Sequence, residues 1–128
     1  MTLRNVWWAL GFALVVAAIY VCLLPFDDVP RPFNLTDKAN HVIGHAALAV
    51  YFTGLVERRS WWKIFAGLLL MGVAIELAQN LMHVGRVADV RDVLANCLGA
   101  ALGLLLGWIG LSRWTQWAAI LLGRRPAP

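Results

Sequence analysis

Apolar residues run almost unbroken through four stretches of this chain, separated by short polar segments. The stretches cover about 6–24, 38–56, 61–82 and 92–111, and the first closes at Pro25. Each approaches the roughly 20 residues an α-helix needs to cross about 30 Å of hydrocarbon. The pattern predicts an all-α integral membrane protein: a compact bundle of four transmembrane helices, forming one domain over 1–128. In the tail, 113–122, Trp114, Trp117, Ala118 and Leu121 share one helical face, which predicts an interfacial helix. The last residues, 124–128, read as a frayed end.

Composition agrees with this reading. The chain is 61% hydrophobic and 14% charged, against about 25% charged in a soluble domain. One domain suits the length. The net charge of +4 reads as an orientation signal, and no basic cluster with interleaved polar aromatics points to nucleic acid. The first span follows Arg4 but is long for a secretory signal and lacks a small-x-small cleavage site. Tyr20-Val21 before Cys22 also makes a poor lipoprotein signal, so the span is expected to stay in place.

The positive-inside rule sets the expected orientation. With the N-terminus inside, Arg4, Arg58, Arg59, Lys63, Arg113, Arg124 and Arg125 are cytoplasmic, and Arg31, Lys38, Arg86 and Arg91 are outside. This favours both termini on the cytoplasmic side. All seven Trp then fall near cytoplasmic ends and read as a one-sided interfacial belt, although some could simply fill helix contacts. Asp27, Asp28, Asp37, Asp89 and Asp92 lie outside.

Glu76 breaks the apolar pattern of the third span. A carboxylate at membrane depth costs roughly 2.5–3.5 kcal/mol on insertion scales, and such groups normally face a partner or a polar cavity. Glu76 lies about 10 Å below His83 at 1.5 Å per residue, in the outer half. The second span opens with Asp37, Lys38, His41 and His45, whose spacings of three and four share a helix face. Asp37 also suits a helix cap or first turn. Glu76 and Gln79 lie three apart, followed by Asn80 and His83, then Arg86 and Asp89. Asp92 and Asn96 open the fourth span four apart. Ala95, Gly99, Gly103 and Gly107 line that helix with small residues, which lets backbones approach closely. Three helices thus bring polar groups to matched depth. They read as a polar pocket or, on the plainer alternative, as interhelical glue.

Asp37-Lys38-x-x-His41, Glu76-x-x-Gln79, Gly85-Arg86 and Asp92-x-x-x-Asn96-x-x-Gly99-x-x-x-Gly103 resemble the VanZ-like family, named for teicoplanin-resistance proteins. The resemblance covers about 36–108. It implies a compact four-span protein linked to the cell envelope and to glycopeptide susceptibility, and no established reaction. Asp89, His45 and His83 are outside that signature and join the site by depth alone.

The ligand-binding set is therefore Asp37, Lys38, His41, Glu76, Gln79, Arg86, Asp92 and Asn96. The leading expectation is recognition of an envelope lipid or a lipophilic glycopeptide at the outer leaflet. Lys38 and the planar fork of Arg86 suit phosphate or carboxylate. An enzyme with Glu76 and His41 as an acid–base pair on a lipid head group is the alternative, though no nucleophile motif is visible. A metal held by His41, His45 and Glu76 is a narrower version, and neither a metal nor another cofactor is expected. A proton path lacks polar residues in the inner halves. Cys22 and Cys97 are expected to be free, and membrane lipids are the expected partners. The sequence leaves the oligomeric state open, although the fourth helix's small face coincides with its polar stripe and so favours packing within the monomer.

Overall fold

The computed structural model describes residues 2–25, 28, 35–83 and 87–123. Helix α1, Leu3–Leu23, opens on Thr2, whose hydroxyl accepts the Asn5 N–H. It ends beside Pro25, whose ring restricts the preceding residue to extended backbone. Helix α2, Asp37–Thr53, is capped by Thr36, which accepts from the Ala39 N–H at 3.2 Å. Asp37 thus sits in the first turn, where its charge complements the positive end of the helix. A 3₁₀ turn, Arg58–Ser60, leads into α3, Trp61–Met82. Helix α4, Val90–Trp108, is capped by Asp89. A second 3₁₀ turn, Leu111–Arg113, precedes α5, Trp114–Leu121.

Helix α3 has the bounds the sequence predicts. The other bounds are corrected by local capping. Gly54 closes α2 at Thr53, although the apolar run continues to Val56. Asp89 starts α4 at Val90 rather than Asp92, and α4 stops at Trp108 rather than Leu111. Helix α1 starts at Leu3 rather than Val6. Among the described residues, three helices are long and apolar enough to cross a membrane: α1, α3 with its leading turn, and α4. Helix α2 has 17 residues and is the short member of the bundle.

The distribution of side chains is that of a protein solvated by lipid. Phe12, Val16, Leu70, Leu77, Leu94 and Leu98 are exposed, whereas His41, His45, Glu76, Gln79, Asp92 and Asn96 are buried. Gln79 and Asn96 are the largest fully buried side chains among the described residues. An apolar exterior costs nothing against acyl chains, while polar groups must find partners inside. This is a multi-pass membrane protein.

Helices α2 and α4 run in the same direction and form the tight pair. Cβ atoms added at Gly99 and Gly103 would strike the backbone carbonyls of Val42 and Ala46. The small-residue stripe is thus spent inside the monomer, as its coincidence with the polar stripe predicts. Helix α1 lies outside this pair. Between α1 and α3 runs an apolar groove of about 890 Å³, with Phe12, Val15 and Ile19 on one wall and Leu68, Met71 and Ala78 on the other.

The end away from the polar cluster is aromatic. Tyr51 Oη donates to the Trp7 carbonyl at 2.7 Å and the Tyr51 ring stacks on Trp114 at 4.7 Å. Trp114 Nε1 donates to the Tyr51 carbonyl, and Thr115 Oγ1 donates to the Gly54 carbonyl. Helix α5 is therefore tied to the end of α2. Its expected single lipid face is divided: Trp114 packs into the protein, while Trp117 and Leu121 stay exposed. The Trp belt divides likewise. Trp62, Trp108 and Trp117 face outward, and Trp7, Trp8 and Trp114 make aromatic contacts within the bundle.

Candidate functional site

The first turns of α2 and α4 meet the last turns of α3 at one end of the bundle. Because α2 and α4 are parallel, their polar residues pair as successive rungs. In the first rung, Lys38 Nζ donates to Asp92 Oδ1 at 2.7 Å and to Asp89 Oδ2 at 3.0 Å. One turn deeper, His41 Nδ1 lies 3.0 Å from Asn96 Oδ1. His41 Nε2 faces Asp37 Oδ2 at 3.7 Å. One turn deeper again, His45 Nδ1 donates to the His41 carbonyl at 3.1 Å, and Gly99 leaves room for the His45 side chain. The rungs follow from sequence spacing: Lys38, His41 and His45 share a face of α2, as Asp92, Asn96 and Gly99 do on α4.

Helix α3 supplies the cross-ties. The Asp89 N–H donates to Glu76 Oε2 at 3.0 Å, so the membrane-depth carboxylate pins the start of α4. Gln79 Nε2 donates to the Cys22 carbonyl at 2.6 Å. That carbonyl lies in the last turn of α1, where backbone oxygens lack helical partners. Asn96 Nδ2 is buried with no hydrogen-bond partner among the described residues and lies against Gly72.

At the mouth, Lys38 and Asp89 are nearly half exposed, whereas Asp92 is mostly covered. The Arg91 backbone N–H, and then Lys38, hold the Asp89 carboxyl below its ordinary value of 3.8. Inward from this mouth the cluster is closed by Asn96, His45 and the α2–α4 contact.

Asp37, Lys38, His41, Asp92 and Asn96 therefore come together as the sequence suggests, and Glu76 joins them through Asp89. Gln79 points to α1 instead. Arg86, Gly85, Asp27 and Arg31 lie outside the described residues. Asn80 and His83 are exposed, and the His83 ring bonds to the Leu81 carbonyl. The ligand set His41, His45 and Glu76 does not form: among the described residues the ligand atoms that converge within 4.8 Å are those of Asp37, His41 and Asp92. Cys22 and Cys97 form no disulfide among the described residues.

Asp89 has a larger part than depth alone assigns it. Its side chain accepts from Arg91 N–H at 2.8 Å and from Lys38, and its own N–H binds Glu76. Asp at a helix start with Asp92 three residues on was the readable signal. The Cys22 carbonyl had none, since any residue offers a backbone oxygen. The only serines, Ser60 and Ser112, belong to turns at the opposite end.

Comparison with known proteins bears on the same residues. The VanZ/LLP1 family profile matches residues 11–111, which take in every rung, the cross-ties and nearly the whole groove. No curated protein and no solved structure matches the chain. By a match that runs from within α1 to beyond α4, the chain belongs to the VanZ/LLP1 family.

Proposed function

We propose that the protein binds an envelope lipid or a lipophilic glycopeptide, with the polar head at the Lys38 edge and an apolar tail in the α1–α3 groove. Membership in the VanZ/LLP1 family links the chain to glycopeptide resistance at the level of the family. In this reading, binding alters susceptibility to teicoplanin-type compounds. The protein sits in the bacterial inner membrane with both termini cytoplasmic, which places the cluster in the outer leaflet.

One observation carries the reading: the buried polar cluster and the apolar groove share helix α3. Ile75 and Ala78 line the groove, while the adjacent Glu76 and Gln79 tie α3 to the cluster and to α1. An amphiphile needs such a junction, with charge at one end and an apolar slot beside it. Lys38 suits phosphate or carboxylate oxygens, and Asp37 and Asp92 suit the ammonium of a zwitterionic head. The acid–base alternative draws less support, because Glu76 and His41 both make bonds that hold helices together.

The test is lipid retention in detergent, read by native mass spectrometry with zwitterionic and anionic phospholipids, beside teicoplanin susceptibility of the expressing cells. Lys38→Met removes the head-group cation, and Gly67→Trp fills the groove from a position whose Cβ direction is open. Both variants are expected to retain about tenfold less lipid, equivalent to roughly 1.4 kcal/mol, and to shift susceptibility toward cells lacking the protein. Equal retention and equal susceptibility in all three proteins would leave the polar cluster as helix glue.

A further inference from the structure

We propose that Asp37, His41 and Asp92 form a binding site for a divalent transition metal ion of the zinc class. The site is distinct from the His41, His45 and Glu76 set excluded above. One ligand atom from each of the three residues lies within 4.8 Å of the others. Two come from the first turns of α2 and the third from the first turn of α4, so the site sits on rigid elements.

The His41 ring points to a cation. It is 5% exposed, and its Nδ1 lies 3.0 Å from Asn96 Oδ1. In the neutral tautomer that donates from Nδ1 to that oxygen, Nε2 has a lone pair to offer a metal. The lone pair faces Asp37 Oδ2 at 3.7 Å, beyond hydrogen-bond range. A metal ion placed between this nitrogen and this oxygen is within reach of both. Metal–nitrogen and metal–oxygen bonds of about 2.0–2.2 Å put neighbouring ligands of a tetrahedral ion somewhat over 3 Å apart, so a small movement closes the site. Asn96 orients the imidazole from behind, as carbonyl partners do for metal-bound histidines. One imidazole and two carboxylates suit zinc, manganese or iron better than magnesium or calcium, which take oxygen ligands.

Lys38 gives the site a built-in competitor. Its ammonium occupies Asp92 Oδ1 at 2.7 Å and Asp89 Oδ2 at 3.0 Å. A metal entering beside Asp92 releases Lys38 to Asp89, so affinity is set by exchange of one cation for another. Three protein ligands leave a coordination position for water or a ligand oxygen. The metal site does not rest on the lipid reading, since it is tested with the ion alone.

The experiment is a titration of the full chain in detergent, cleared with a chelator, with Co²⁺ followed by its visible absorption and Zn²⁺ by competition. Wild type is expected to take up one equivalent. His41→Gln and Asp92→Asn are expected to weaken binding by about tenfold or more, the loss typical of disturbing a metal site. Lys38→Met is expected to strengthen it by about tenfold, by removing the competing charge. His83→Gln, an exposed histidine outside the cluster, is expected to leave it unchanged. Asp37→Asn, at the partly exposed margin, carries the loss arm if the buried variants fail to fold. Uptake that is absent, that is equal in wild type and Asp37→Asn, or that disappears with His83→Gln overturns the site. Lipid retention measured on chelator-treated protein separates this failure from failure of the lipid reading.

Discussion

Between α2 and α4 the backbones touch, and side chains cross from helix to helix at two successive turns. Between α1 and α3 one side chain reaches across to a carbonyl, and the remainder is an apolar groove of about 890 Å³. The difference shows what draws helices together in lipid. Acyl chains are as apolar as leucine, so burying leucine against leucine gives little net drive, and small residues and hydrogen bonds decide which faces close. Helix α4 has both along one stripe. The facing sides of α1 and α3 have large apolar side chains and the Gln79–Cys22 bond. The tight pair holds the chemistry, and the loose pair supplies space.

The harshest way to break this contrast is to widen the tight pair. Gly103→Leu drives a side chain into the Ala46 carbonyl and Ala49, where no flexible group can give way. The expected cost is about 3 kcal/mol or loss of the folded protein, read as thermal denaturation in detergent. Asn96→Leu removes the buried partner of His41 and is expected to cost about 1–3 kcal/mol in the same assay. Glu76→Gln weakens the charge-assisted bond from the Asp89 N–H. A loss of about 1 kcal/mol is expected, the difference between charged and neutral hydrogen bonds. A more stable Glu76→Gln protein would mean the carboxylate is retained at a cost to folding, as functional groups often are.

Gentler perturbations sharpen the comparison. The depressed Asp89 pKa implies stabilisation that is complete above the unfolded value near 4 and is lost as pH falls through the folded value. The melting temperature should therefore drop on acidification from about pH 5 to about pH 3, with a shallower slope in Asp89→Asn. The smallest effect belongs to the loose pair. Gly67→Trp projects into open space and should change stability by no more than about 0.5 kcal/mol, while lipid retention falls. A large loss of stability there would show that α1 and α3 are more tightly coupled than the groove implies.

Helical spacing made much of the site legible. Lys38 with His41, and Asp92 with Asn96, lie on single faces, and any close parallel packing of α2 and α4 must pair them. The glycines of α4 signalled that close packing. Helix α3 was legible at both ends because Arg58-Arg59-Ser60 and His83 bracket an apolar run. The end of α2 was not, because hydropathy continues through Leu55 and Val56 while Gly54 stops the helix. The aim of Gln79 was also hidden, since its partner is a backbone carbonyl. The groove was hidden because hydropathy reports how apolar a face is, not how far it stands from its neighbour.

The shortness of α2 has a consequence for the bilayer itself. Seventeen residues rise about 25 Å, against about 30 Å of hydrocarbon. Its polar first turn must therefore meet water several ångströms inside the plane where the longer helices end. Lipids beside it accommodate the mismatch by thinning, at a fraction of a kcal/mol per ångström. Such thinning would set the cluster below the surrounding membrane surface, and its accessibility is then expected to vary with the chain length of the lipids used to reconstitute the protein.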